Sequence, residues 1–407
     1  MSDHLPGRPG LIRQINRTLI LDILQKHGTL SRADLAAHTG VSAPSISRLV
    51  ADLVEAGLVQ EIGAGRSSGG RRPILLAFNQ SAAYILALDV RPHRVLGVMS
   101  DLAGEALLTD SMVPSRLGDT LPQEVLQFGR SLLERAKVTP DRLRGVGAAV
   151  PGIVGPDGVV SLAPVLRWYN VPFGQVLSEL SPTVHVENDV NALLLGETWR
   201  GSTHGASHAL AVIIGSGVGA ALMVDHRLHR GRHQAAGEIG SWIASAEPPE
   251  GPAGSDSIPG LMGTAPVTSQ GMFEETTAVT AWAYRWRGSG RADAGLSQAE
   301  EGALVAAFMA AVQRGDEAAA AVVRDMARRL AVVICNMTML VNPEVVLLGG
   351  ECLGARRVLL PTVQDVVNRY SPYPVPVIPA ELGDMSMILG VVRGVLDSAR
   401  SSVSFVS

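Results

Sequence analysis

The stretch Ser31-Arg-Ala-Asp-Leu-Ala-Ala-His-Thr-Gly40-Val-Ser-Ala-Pro-Ser-Ile-Ser-Arg-Leu-Val-Ala-Asp-Leu-Val-Glu-Ala-Gly57 decides how the front of the chain folds. Ser31 stands at a helix N-cap position, and Asp34 three residues on can return the capping bond. A short helix, Ala33–His38, ends at Thr39-Gly40, where glycine permits a sharp turn. A second helix starts at Ser42, with Pro44 tolerated in its first turn. Its apolar residues Ile46, Leu49, Val50 and Leu53 make one stripe that faces a core. Ser42, Ser45, Ser47 and Arg48 fall outside that stripe. After Gly57 a hairpin is expected from Leu58–Ile62 and Ile74–Phe78. Its tip, residues 63–72, holds Gly69, Gly70, Arg71 and Arg72. A preceding helix carries Ile12, Ile15, Leu19 and Ile23 on one face. Two helices across a glycine turn, followed by a basic glycine hairpin, read as a winged helix-turn-helix at residues 1–78. The second helix would lie in the major groove of double-stranded DNA and the arginines of the wing in the minor groove or along phosphates.

Composition supports that division of labour. The chain has 407 residues, 46% of them apolar, which is too long for one core and suits two or three domains. Residues 1–78 carry nine Lys/Arg against six Asp/Glu, whereas the remainder of the chain is net −7. A mildly basic head on an acidic body fits a protein that meets DNA at one end. Two cysteines, Cys335 and Cys352, exclude a disulfide framework and are too few for a cysteine zinc site. Cys335, in an apolar run, reads as a small buried hydrophobe. No signal-peptide core and no run of 18 apolar residues is present, so a cytoplasmic protein without membrane contact is expected.

From Ser81 onward short β-rich runs alternate with helical stretches, the texture of an α/β fold. Tyr84–Asp101 reads as strand, tight turn at Asp89–His93, and strand. Leu210–Asp225 repeats the plan around the glycine turn Gly215-Ser-Gly-Val-Gly219, which suggests two related lobes. Between them, Leu143–Val150 is a strand and Arg167–Phe173 is expected as a loop with exposed rings. Thr183–Glu187 is a strand that delivers Asn188 and Asp189 to the start of a helix, Asn191–Trp199. A polar pair at a strand's carboxyl end is a favoured ligand position. Residues 246–271, rich in Pro, Gly and Ser, are expected as a mobile loop. Helices are expected at Glu274–Trp286, Gln298–Gln313 and Asp316–Val341, and a buried strand at Val345–Gly350. The expected domains are 1–78, a first lobe 79–193 and a second lobe 194–407, with the C-terminal helix packing back on the first lobe.

The motifs Gly69–Pro73, Trp168–Phe173, Glu187-Asn-Asp189, Gly215–Gly219, Leu228-His-Arg-Gly231, Gly237-Glu-Ile-Gly240 and Asn342–Gly350 resemble the ROK family of repressors, open reading frames and sugar kinases. The resemblance spans nearly the whole chain. It implies an N-terminal all-α winged helix-turn-helix joined to a two-lobed, actin-like (ribonuclease H-like, sugar-kinase) α/β core. It also implies that Asn188 and Asp189 hold sugar hydroxyls, with this aspartate the general base in the kinases. Glu238, Glu274 and Asn170 are assigned to the same sugar. Three departures point away from phosphotransfer. The glycine phosphate turn of the kinases is replaced by Asp89-Val-Arg-Pro-His93, which loses both bare backbone and an N–H donor. Ser241 stands where the family has a zinc-binding histidine, and the zinc-binding cysteines are absent. No metal, no cofactor and no catalytic residue is therefore expected.

The expectation is a sequence-specific transcriptional regulator, a repressor of carbohydrate genes that binds an operator as a homodimer or dimer of dimers. Its core would answer to a small carbohydrate effector without phosphorylating it. Two alternatives stand beside it: a sugar kinase with an appended DNA module, and a regulator whose core is only a dimerisation or partner scaffold.

Overall fold

Ser31 caps its helix as the residue types demand. Its hydroxyl accepts from the Asp34 amide, and the Asp34 carboxylate accepts from the Ser31 amide at 2.9 Å and the Ser31 hydroxyl at 2.7 Å. These bonds hold the Asp34 carboxyl below the usual carboxylate range. In the computed structural model, which describes residues 9–64, 72–242, 273–289, 296 and 298–401, the head consists of three helices and three strands. They are α1 (Pro9–His27), β1 (Leu30–Ser31), α2 (Arg32–Thr39), α3 (Ala43–Glu55), β2 (Val59–Ala64) and β3 (Ile74–Phe78). Gly40 closes α2 in the left-handed conformation at φ 68°, where a side chain would be strained. The strands pair antiparallel in the order β1-β3-β2, so the wing gains a third strand that the sequence did not announce.

The stripe of α3 is buried as expected, and it joins Leu35, Val59 and Leu76. The face of α1 differs from expectation. Ile20, Leu21, Ile23 and Leu24 enter the core, whereas Leu19 is 36% exposed. The helix offers two overlapping apolar stripes, and tertiary packing selects the one centred on Ile20 and Leu24. The side chains of Ile12 and Ile15 lie outside the described residues, as do Gly69, Gly70, Arg71 and the whole of the expected loop 246–271.

The chain divides into two compact units: Met1–Val150 with Pro156–Glu187 and Val391–Ser407, and Pro151–Gly155 with Asn188–Gly390. The first contains the head and a five-stranded sheet. Its elements are β4 (Tyr84–Arg91), β5 (Arg94–Asp101), β6 (Ala106–Met112), α4 (Leu121–Ala136) and β7 (Leu143–Val150). β8 (Ile153–Val154) falls in the second unit, and the first resumes with β9 (Val160–Ala163), β10 (Trp168–Val171), α5 (Phe173–Leu177) and β11 (Val184–Asn188), whose last residue begins the second. The second unit carries α6 (Asp189–Arg200), β12 (Ala209–Ile214), β13 (Val218–Val224) and β14 (Arg227–Leu228). It continues with α7 (Phe273–Thr277), α8 (Val279–Arg287), α9 (Gln298–Gln313), α10 (Glu317–Val341) and β15 (Val345–Gly349). It ends with α11 (Arg356–Tyr370), β16 (Val377–Pro379) and the start of α12 (Met385–Ser401).

The two sheets have the same strand order. In the first it is β11-β7-β4-β5-β6, and in the second, read from the corresponding end, β16-β15-β12-β13-β14. In each an antiparallel meander is extended by a parallel strand, β7 beside β4 and β15 beside β12. The central strands β4 and β12 are buried along almost their whole length, so they read as unbroken apolar runs. The repeated strand–turn–strand plan of the sequence is therefore a repeated sheet.

Two expectations are corrected here. Residues 168–173 are not a loop with exposed rings. Trp168 and Phe173 are 0% exposed, their rings 4.9 Å apart, and the Trp168 indole donates to the Gly118 carbonyl; Tyr169 alone shows its ring. Pairing of β10 with β9 turns this segment inward. The single helix expected at Glu274–Trp286 is broken at Ala278, which is extended at φ −60° and ψ 149°. The break lets the Val279 amide donate to the Gly215 carbonyl at 2.9 Å.

Both cysteines lie in the second unit's core. Cys335 is 4% and Cys352 0% exposed, and burial pushes the Cys352 thiol up to about 12. Among the described residues no helix is long and apolar enough to cross a membrane.

Candidate functional site

In the head, the amphipathic period of α3 buries four apolar residues and leaves Ser42, Ala43, Pro44, Ser45, Ser47 and Arg48 exposed along its first turns. Ser42 occupies the cap position but makes no side-chain bond to the helix backbone. Its hydroxyl donates instead to Ser45 Oγ at 3.0 Å. The face therefore presents three hydroxyls and a guanidinium to solvent, groups suited to phosphates and base edges. The basic surplus of the head is narrower than its composition suggests. Arg13 pairs with Asp52 at 2.5 Å and Arg32 with Glu61 at 2.9 Å, so both are spent on internal contacts. Arg48 and Arg72 are exposed and take part in no ion pair among the described residues. Arg72 sits at the base of the hairpin tip, directly before β3.

In the second unit, β11 hands the chain to α6 at Asn188. The Asn188 side-chain oxygen accepts from the Val190 and Asn191 amides at 2.9 and 3.0 Å, and its amide nitrogen donates to the Gly152 carbonyl at 3.0 Å. The asparagine is thus an N-cap locked at both ends, which sets Asp189 on the first turn of the helix. That turn packs on the glycine turn of β12–β13, where a Cβ on Gly219 would fall 2.8 Å from Val190 Cγ2.

The same glycine turn holds the two glutamates. Glu274 Oε2 accepts from the Val218 amide at 2.9 Å, and the carboxylate lies over Gly217 and Gly240. Glu238 heads the short turn Ile239–Ser241. That segment is clamped to β13 because the Ala220 amide donates to the Gly237 carbonyl at 2.8 Å. Burial, and then the like charge of Glu274, raise the Glu238 carboxyl above its ordinary range. Asn188, Asp189, Glu238 and Glu274 are therefore carried by one unit, linked through Val190, Gly219 and Val218. Asn170 lies in the other unit, exposed and in the left-handed region at φ 51°.

The geometry of the surviving glycine turn bears on nucleotide binding. A phosphate cradle needs backbone N–H groups aimed at an anion. Here the Gly215 amide donates to the Gly217 carbonyl and the Val218 amide to Glu274, a carboxylate of the chain itself. Glu351 adds another carboxylate 3.9 Å from a Cβ position on Gly215. Among the residues that the sequence reading passed over is Glu197 of α6, a wholly buried carboxylate. A helix-interior Glu next to glycine carries no local signal of burial.

The ROK family model matches residues 85–397, and the MarR family model matches residues 10–72. The xylose repressor of Caldicellulosiruptor bescii is 25% identical over 97% of this chain and 98% of its own length. A solved ROK family transcriptional regulator, homologous to the Escherichia coli MLC protein, superposes with TM-score 0.77 at 21% identity. That match covers 96% of this chain and 98% of the other. The ROK family glucokinase of Streptomyces griseus, solved with glucose and AMPPNP, gives TM-score 0.61 at 21% identity over 76% of this chain and 98% of its own. The fold is thus the winged helix-turn-helix and actin-like α/β core of this group.

Proposed function

The chain belongs to the ROK family, and we propose that it is a DNA-binding transcriptional regulator, a repressor of carbohydrate genes whose core senses a sugar without phosphorylating it. The observation that carries the reading is the exposed face of α3, Ser42 to Arg48, on a winged head ahead of a ROK core. Two heads of a homodimer would place two α3 helices in successive major grooves, about 34 Å apart, on a palindromic operator. The wing follows with Arg72, and with Gly69, Gly70 and Arg71 beside it in sequence. The relatives named as repressors support the regulatory role.

In the core, Asn188, Asp189, Glu238 and Glu274 supply acceptors that match sugar hydroxyls, and Asn170 would add an amide from the other unit. Absence of phosphotransfer is supported by two amides of the glycine turn, Gly215 and Val218, already bonded within the chain, and by Arg91-Pro92 at the first turn. A sugar changes operator affinity only by as much as it prefers one conformation of the core.

Two measurements test this reading. Selection of bound sequences from random duplex DNA should return a palindrome. On that site, Arg71→Ala with Arg72→Ala should lower the salt slope of binding by about two units. A thermal-shift screen against pentoses, hexoses, amino sugars and their phosphates should show a rise in melting temperature that Asp189→Ala and Glu238→Ala abolish. A flat screen on folded protein would reduce the core to a dimerisation scaffold, and aspartate-dependent sugar phosphate formation with ATP would make it a kinase.

A further inference from the structure

Glu197 lies near the end of α6 with no exposed surface, and its carboxylate accepts four hydrogen bonds. Oε1 accepts from the Leu382 amide at 2.9 Å and the Ser386 hydroxyl at 2.8 Å. Oε2 accepts from the Ser202 amide at 2.9 Å and the Ser202 hydroxyl at 3.1 Å. A buried carboxylate is tolerated only with such a set of donors, so removing one leaves an acceptor that water cannot serve. Two of the donors come from residues 382–386, the segment that opens α12. The two helices also touch backbone to backbone. A Cβ on Gly196 would fall 1.9 Å from the Ser386 carbonyl oxygen, and one on Gly390 would fall 1.8 Å from that of Ala192. At this spacing neither helix can slide without the other.

The two ends of this arrangement have different attachments. The start of α6 carries Asn188 and Asp189. The helix α12 belongs to the second unit up to Gly390 and to the unit containing the head from Val391. We propose that Glu197 is a positioning residue that locks α6 and the first turns of α12 into one cooperative element, through which a ligand at Asn188 and Asp189 is felt along α12. This rests on the effector reading given above for that pair. The buried Glu197–Ser386 contact gives the lock two discrete states, made or broken, which transmission between sites requires.

Native-state hydrogen exchange on the full-length protein decides the matter, with peptides covering 189–196 and 385–396 followed in wild type, Ser386→Ala and Glu197→Gln. In wild type the two peptides should open together. In Ser386→Ala the exchange of 385–396 should rise by about tenfold or more, while 189–196 stays within about twofold. Glu197→Gln, which keeps the shape but reverses one half of the donor pattern, should do the same. Both peptides rising together, or neither moving in folded variants, overturns the lock and leaves Glu197 a residue of general stability. D-xylose and N-acetylglucosamine are then added in turn. In wild type a sugar that slows 189–196 should also slow 385–396, and in Ser386→Ala only 189–196. Slowing that still reaches 385–396 in both variants overturns transmission through this contact. If neither sugar slows 189–196 in wild type, that counts against the effector reading, and the sugar-free comparison still decides the lock.

Discussion

The hairpin β4–β5 of the first unit and the hairpin β12–β13 of the second share one plan and differ at the tip. In β4–β5 the strands run to Arg91 and Arg94, and Pro92-His93 closes the turn. Asp89, 1% exposed, is paired there with Arg91 at 2.7 Å. In β12–β13 the glycines remain, yet the Gly215 and Val218 amides are bonded to Gly217 and Glu274. One tip is held by a side-chain cation matched to a buried anion. The other has kept its backbone and turned part of it inward. Two hairpins of one plan are thus held at their tips in different ways, and only the side-chain ion pair leaves a trace in the motif.

The strongest way to break this comparison is to disturb the clamp that holds Glu238 against β13. Gly237 is in the left-handed region at φ 97°, and a Cβ there would fall 1.9 Å from the Ala220 carbonyl oxygen. Gly237→Ala should destabilise the protein by about 3 kcal/mol or more in urea unfolding; a loss below about 1 kcal/mol would show that the clamp yields. A smaller effect belongs to the other tip. Arg91→Ala removes the cation paired with Asp89, but Arg91 is 27% exposed, so about 2 kcal/mol is expected rather than the roughly 3–5 of a fully buried pair. An unchanged urea midpoint would mean that the ion pair does not hold this tip.

The third prediction concerns pH. The Glu238 carboxyl is raised above its ordinary value of 4.5 by burial and by Glu274, so the folded state holds its proton more tightly than the unfolded state. Its stabilising contribution is complete below that value and is lost as pH rises through the raised pKa. Wild type should therefore lose stability relative to Glu238→Gln over that window, and Glu274→Gln should shrink the difference. Parallel stability curves would remove the charge coupling. The smallest expected effect is none: Arg91→Gly with Pro92→Gly should bring no ATP binding in calorimetry, because the second turn still faces Glu274. ATP binding by that variant would show that occupancy at the second turn is no obstacle.

Much of the head was legible because its signals are local. Ser31, Asp34 and Gly40 act within four residues, and the stripe Ile46, Leu49, Val50, Leu53 follows one helical period. Leu19 differs because it lies beside Ile20, Leu21, Ile23 and Leu24 on an apolar surface wider than one stripe, and only packing decides which edge is covered. Trp168 and Phe173 were placed outside since the pairing of β10 with β9 is not written in either strand alone. The helix breaks at Ala278 without glycine or proline, for the sake of a bond from Val279 to Gly215, 64 positions earlier in the chain. At the candidate site, the strand end that delivers Asn188 and Asp189 to a helix was legible in the sequence, whereas the bond from Val218 to Glu274 belongs to tertiary structure alone.

The burial of both thiols also sets how this protein meets oxidants and alkylating reagents. A thiol held near 12 is almost never thiolate at neutral pH, and the thiolate is the form that reacts. Cys352 is therefore silent toward peroxide or iodoacetamide while the fold is intact, and its labelling rate becomes a clock for the opening of the β15 region.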